Sequence, residues 1–84
     1  MLKKLTIEDI EAQVDREEYH VFDDKLTVCV LTAKNTFKVT GEASCVFPAD
    51  FDQEIGKKVS RGKAIAKLWE LEAYSLQTKV AENG

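Results

Sequence analysis

"KLTVCVLTAKNTFKVTGEASC", residues 25–45, decides how this chain folds. Its halves, KLTVCVLTAK over 25–34 and FKVTGEASC over 37–45, are rich in β-branched residues and alternate in polarity, as half-buried strands do. Asn35-Thr36 reads as the tip of a hairpin between them. A two-residue loop there pairs Lys34 with Phe37 and Val28 with Ala43. One sheet face then carries Leu26, Val28 and Val30 beside Val39, Gly41, Ala43 and Cys45. The other carries Thr27, Cys29, Leu31, Ala33, Thr40 and Glu42. The first face is the better core, and Gly41 and Ala43 leave room on it for a helix. The second is too apolar to stay wholly wet, so a partner subunit is expected to cover part of it.

Upstream of the hairpin, EYHVF over 18–22 reads as a short third strand, with DDK as the turn into residue 25. Thr6 precedes Ile7, Glu8 and Asp9, the pattern of an N-cap followed by acids in the first turn. Ile7, Ile10 and Val14 recur at helical spacing, which predicts a short helix over about 7–14. Downstream, Pro48 and Asp50 open a long helix, with Asp50 and Gln53 spaced as a capping pair. Phe51, Ile55, Val59, Gly62, Ala66, Trp69, Ala73, Leu76 and Val80 step by three or four, and this stripe is expected to lie on the sheet. Gly56 and Gly62 each cost roughly 1 kcal/mol of helix propensity relative to alanine, so a bend near either is allowed. AENG reads as a frayed tail. The resulting fold class is α+β: one domain over 1–84, with a small antiparallel sheet packed by a long C-terminal helix and a short N-terminal one.

Composition agrees with an ordered globular domain, since 44% of residues are hydrophobic and 32% charged. With only 84 residues the domain is marginal alone, and oligomerisation is one remedy. No apolar run approaches the roughly 20 residues that span a bilayer. MLKKLTIEDIEAQ has lysines but no apolar stretch after them, so it does not read as a secretory signal. A soluble, cytoplasmic protein is expected. Its net charge of −3 is unevenly spread. Residues 8–24 hold eight acids against Arg16 alone, whereas residues 55–69 hold Lys57, Lys58, Arg61, Lys63 and Lys67 and no acid. This layout argues against general nucleic-acid binding, which needs a broad basic face. It suits a local anion pocket or contact between subunits.

The single histidine, His20, stands among acids and reads as an exposed strand residue rather than a general base. Cys29 and His20 carry no local nucleophile signature, and two cysteines with one histidine make no metal cluster. Cys29 and Cys45 fall on opposite faces in the register above, so no disulfide is expected, and Cys45 reads as a small buried hydrophobe. Asp23-Asp24 and Asp50-Asp52 are explained by a turn and a helix start more simply than by Mg²⁺. The cationic stretch is the best functional signal. On a helix Lys57 and Arg61 are one turn apart, as are Lys63 and Lys67, and such pairs suit a phosphate. The plainer reading is the solvated back of a helix. Trp69 and Tyr74 could stack on a base, although Trp69 reads first as a core residue.

These residues resemble a known family, the small tailed-phage proteins named for gene product forty-nine of one coliphage and gene product sixty-six of another phage. The resemblance runs over residues 26–74 and TIEDIEAQV near the start. It is carried by Cys29, the Val-Thr-Gly-Glu run, Cys45, Pro48, Phe51-Asp52, Glu54-Ile55-Gly56, Trp69 and Tyr74 as a set. Members usually have Asn-Gly at the hairpin tip, where Thr36 stands here. They often have an acid at Phe47 and glycine at Ala73. The resemblance implies a phage origin and life in the host bacterial cytoplasm, with little mechanism. In size and layout the chain also looks similar to phage anti-defence sponges, small oligomers that sequester nucleotide immune signals. The expectation is therefore a non-enzymatic phage accessory protein without cofactor or metal. It would act as a homo-oligomer that binds a cyclic nucleotide or an ADP-ribose-type ligand through Lys57, Lys58, Arg61, Lys63 and Lys67. The alternative is a protein-binding module acting on a host or phage protein.

Overall fold

The computed structural model describes residues 4–83. A three-stranded antiparallel sheet with the order β1-β2-β3 lies under one long helix, which gives the α+β architecture. Helix α1 (Ile7–Ala12) opens with a reciprocal cap. The Thr6 hydroxyl accepts from the Asp9 N–H at 3.3 Å, and the Asp9 carboxylate accepts from the Thr6 N–H at 3.0 Å. Ile10 of this one-and-a-half-turn helix is fully buried and closes one end of the core.

Strand β1 spans Val14–Phe22, four residues longer at its start than the expected 18–22. The helix accordingly ends at Ala12 rather than near 14. Asp15, Arg16 and Glu17, which follow Val14, have no strong strand preference of their own. They are extended because β2 (Leu26–Ala33) offers them a ladder, and a bulge between Val14 and Arg16 absorbs the irregular entry. Asp23 and Asp24, at φ 54° and 50°, make the turn into β2, and the Lys25 N–H donates to the Phe22 carbonyl at 3.0 Å.

The β2–β3 connection corrects the expected register. Strand β3 is Lys38–Ser44, and it pairs Cys29 with Gly41 and Val28 with Glu42. The loop has three residues, 34–36, not two. The Thr36 N–H donates to the Ala33 carbonyl and the Ala33 N–H to the Phe37 carbonyl, both at 2.8 Å. Thr36 takes φ 74°, the left-handed position that a turn of this length places third. The extra residue slips every β2 partner by one, which exchanges the faces of β2. Thr27, Cys29, Leu31 and Ala33 therefore face the helix, and Leu26, Val28 and Val30 face away. Val39 and Gly41 of β3 face the helix as expected.

Helix α2 (Gln53–Asn83) follows a 3₁₀ turn at Pro48–Asp50 and runs unbroken through Gly56 and Gly62. Its cap is Asp52 rather than Asp50: the Asp52 carboxylate accepts from the Glu54 N–H at 3.0 Å and the Ile55 N–H at 3.3 Å. Residues 81–83, expected to fray, are helical, and Gly84 lies outside the described residues. The buried face is Ser60, Ala64, Ile65 and Leu68, not the expected stripe through Val59, Gly62, Ala66 and Trp69. The phase is set by the closest approach to the sheet. A Cβ built on Gly41 would lie 2.1 Å from the Ser60 carbonyl oxygen and 2.5 Å from the Ala64 nitrogen. The glycine of β3 was the right contact, but its helix partners sit two residues before Gly62 and Ala66. Cys29, Leu31, Ala33 and Val39 complete the core beneath them.

Candidate binding surfaces

The five cations in the first half of α2 do not converge. Lys57 and Arg61 overhang β1. The Arg61 guanidinium forks onto the carboxylate of Glu11 in α1, donating through Nη1 at 2.9 Å and through Nη2, and its Nε donates to Glu17 of β1 at 3.2 Å. This bidentate pairing holds the Glu11 carboxyl below its usual range and raises the guanidinium pKa, with Glu11 the main cause. Glu17 also accepts from the Tyr19 hydroxyl at 2.8 Å. Burial first, then that bond to Glu17, push the Tyr19 phenol up. The Lys57 ammonium stands 5.6 Å from the centre of the Tyr19 ring. Part of the acidic segment thus folds back onto part of the cationic one. Glu11, Glu17 and Tyr19 were not singled out by residue in the sequence, where only the opposite charge of the two segments pointed to them.

Lys58, Lys63 and Lys67 are exposed and form no ion pair among the described residues. Lys63 lies over β3, next to Gly41. With Lys25 it borders a crevice of about 200 Å³ between the start of α2 and the sheet, lined also by Thr27, Ser44, Asp52 and Gly56. The buried Thr27 hydroxyl has no hydrogen-bond partner, and Gly56 packs so near that a Cβ there would lie 2.5 Å from it. Trp69, expected in the core, keeps 36% of its surface exposed, and Tyr74 keeps 76%. Five residues apart on a helix, they diverge by about 140°. Leu68, one residue earlier, takes the core position.

His20 and Cys29 lie on opposite faces of the sheet, since His20 pairs with Val28 and Tyr19 with Cys29. Burial raises the Cys29 thiol pKa. The corrected register puts Cys45 on the helix side with Cys29, half-buried rather than buried, and both thiols are free. Among the described residues no three His, Cys, Asp or Glu side chains group as a metal site, and no helix is long and apolar enough to cross a membrane.

Two apolar surfaces stay open. The sheet face away from α2 carries Leu26, Val28 and Val30 half-buried along the central strand. At its end Phe22, Val46 and Phe47 are all more than half exposed. On α2, Ile55, Val59, Trp69, Leu71 and Val80 are exposed among its lysines and glutamates.

A long helix laid across one face of a three-stranded meander, with the other face open, defines a small α+β domain that presents surfaces rather than a deep pocket. Its sequence matches the Phage protein (N4 Gp49/phage Sf6 gene 66) family over residues 5–80. The chain belongs to that family of phage proteins. No curated protein and no solved structure matches it.

Proposed function

We propose that this phage protein is a non-enzymatic accessory factor that acts in the host bacterial cytoplasm by binding a host or phage protein through the open face of its sheet. The observation that carries the reading is the uncovered apolar run Leu26, Val28, Val30 ending in Phe22, Val46 and Phe47. Contiguous exposed apolar surface of this kind marks interaction sites. Its border carries both signs of charge: Glu42 and an Arg16–Glu18 pair at 3.7 Å flank it, Asp23 and Asp24 close one end and Lys38 stands at the other, so the fitting partner has an apolar patch with a mixed polar rim.

A second reading is anti-defence sequestration of a nucleotide signal by a homo-oligomer. The unpaired Lys58, Lys63 and Lys67, and the crevice between Lys25 and Lys63, favour it. Against it, Arg61, the only bidentate donor of the stretch, is already occupied by Glu11 and Glu17, and Asp50 and Asp52 line the same crevice.

Tagged protein recovered from infected cells distinguishes the two. One protein retained in stoichiometric amount by wild type and lost with Phe22→Lys is the expected result. A thermal-shift panel of cyclic dinucleotides and ADP-ribose derivatives is expected to be flat, because a ligand that binds the folded state raises stability by mass action. A rise abolished by Lys25→Ala with Lys63→Ala would move the function to the second reading.

A further inference from the structure

We infer that two copies of this chain associate through α2, packed antiparallel along the outer stripe of the helix. That surface is separate from the open sheet face, so the inference stands whether or not the sheet binds a partner. Ile55, Val59, Gly62, Ala66, Trp69, Ala73, Leu76 and Val80 are spaced four, three, four, three without interruption. This is a period of 3.5, the repeat of helices wound about each other, and a helix lying on its own sheet has no need of it. The sheet-facing side is already a different set, Ser60, Ala64, Ile65 and Leu68. The seam residues are instead left open: Trp69 and Val80 are exposed, as are Gly62, Ala66 and Ala73, Ile55 and Val59 are exposed at the edge of the crevice beside β3, and Leu76 is half-covered near α1. Beyond Leu76 every described residue of α2 is exposed, and among the described residues only Lys79 of this stretch borders a crevice beside α1. Helix ends with so little packing are marginal in water.

Charge selects the occupant and its direction. The first half of α2 is basic, with no acid between Glu54 and Glu70, and the second half carries Glu70, Glu72 and Glu82. Two parallel copies would set basic half against basic half, with Lys58 beside Lys63 on both flanks. Antiparallel copies set basic half against acidic half. Crossing midway between Ala66 and Trp69, they pair Ile55 with Val80, Val59 with Leu76, Gly62 with Ala73 and Ala66 with Trp69 of the second copy. The bulky indole then meets a methyl group, and the glycine meets an alanine, so large and small alternate across the seam. On one flank Lys63 faces Glu70 of the second copy, twice per dimer. On the other, Lys58 approaches Lys79, a repulsion at the exposed ends that salt screens.

Sedimentation equilibrium of the full chain tests this. The expected species at tens of micromolar is twice 9.5 kDa. Ala66→Glu, at an exposed position, should leave the far-UV dichroism of the fold intact and give a monomer. Lys63→Glu should weaken association about tenfold, since each of the two symmetric pairs turns from attraction to repulsion. Adding Glu70→Lys should restore it, because only the antiparallel register pairs these two positions. A monomer throughout for wild type, or a dimer indifferent to Ala66→Glu, overturns the proposal. A charge swap that fails to restore a dimer weakened by Lys63→Glu overturns the antiparallel register.

Discussion

The two sides of α2 invert a familiar expectation. The outer side holds the larger side chains, Ile55, Val59, Trp69 and Val80, and stays exposed. The inner side meets the sheet with Ser60 and Ala64, both without exposed surface, before Ile65 and Leu68 fill the core. What decided the phase was proximity rather than hydrophobicity. Gly41 lets the helix backbone come close to β3, and only small residues fit at that point. Close approach gains dispersion contacts along both elements. Leu68 then drops beside Leu31 and Ile10 in a single cluster. The bulky outer residues are left for another surface.

The largest effect that would break this contrast comes from the glycines. Gly41→Val must push α2 off the sheet, because its Cβ meets backbone atoms that cannot turn away. It should cost about 3 kcal/mol or more, enough to threaten a domain this small. Gly62 has nothing within 4 Å of a built Cβ. Gly62→Ala should therefore gain up to about 1 kcal/mol in helix propensity. Urea melts of both, on the Ala66→Glu background so that association does not contribute, check the pair. Equal losses at the two glycines would mean that the helix phase is wrong.

Next in size is the neighbouring pair Leu68 and Trp69. Leu68→Ala empties a site only 3% exposed and should cost about 2–5 kcal/mol. Trp69→Ala removes a larger side chain from the outer side, yet on that same background it should cost less. A reversed order in thermal melts would return Trp69 to the core.

Every element of the fold was legible from pattern. Thr6 and Asp9 marked the start of α1, alternation marked β2 and β3, and a long periodic stretch marked α2. The faces were not legible. On β2 the alternation is sound, but Leu26, Val28 and Val30 look more apolar than Thr27, Cys29, Leu31 and Ala33. Only the loop length decides between them, and a β-branched Thr36 in the left-handed region hides that length. On α2 two stripes coexist, and the more hydrophobic one is the wrong one. The start of β1 was hidden because its acids favour strand only once β2 supplies the ladder. Among the candidate site residues, charge imbalance announced the link between the acidic and basic segments. It did not show that Arg61 and Lys57 take up β1 and α1 partners while Lys58, Lys63 and Lys67 do not.

Thr36 gives a smaller test that bears on which β2 face meets the helix. Thr36→Gly relieves a β-branched residue at φ 74° and should stabilise the chain by about 1 kcal/mol. No gain in a denaturant melt would mean that the three-residue loop, and with it the register that places Cys29 under α2, is wrong.

The smallest effect separates the two groups of cations by pH. Glu11 sits below its ordinary value of 4.5 because Arg61 is bonded to its charged form. A carboxylate with a depressed folded pKa lends stability that is fully present above the unfolded value. That stability fades as pH falls below about 4.5 and through the folded pKa. Arg61→Met should therefore flatten the acid side of the stability profile while costing about 0.5–1 kcal/mol near neutrality, since the fork to Glu11 and the bond to Glu17 are partly exposed. Lys67→Gln, on the exposed side and without an ion pair among the described residues, should leave the profile parallel to wild type. Chemical denaturation at pH 7, 5, 4 and 3 measures both. An acid limb as steep in Arg61→Met as in wild type would show that the link across α1, β1 and α2 adds nothing to stability. Arg61 would then be as available to a ligand as Lys63.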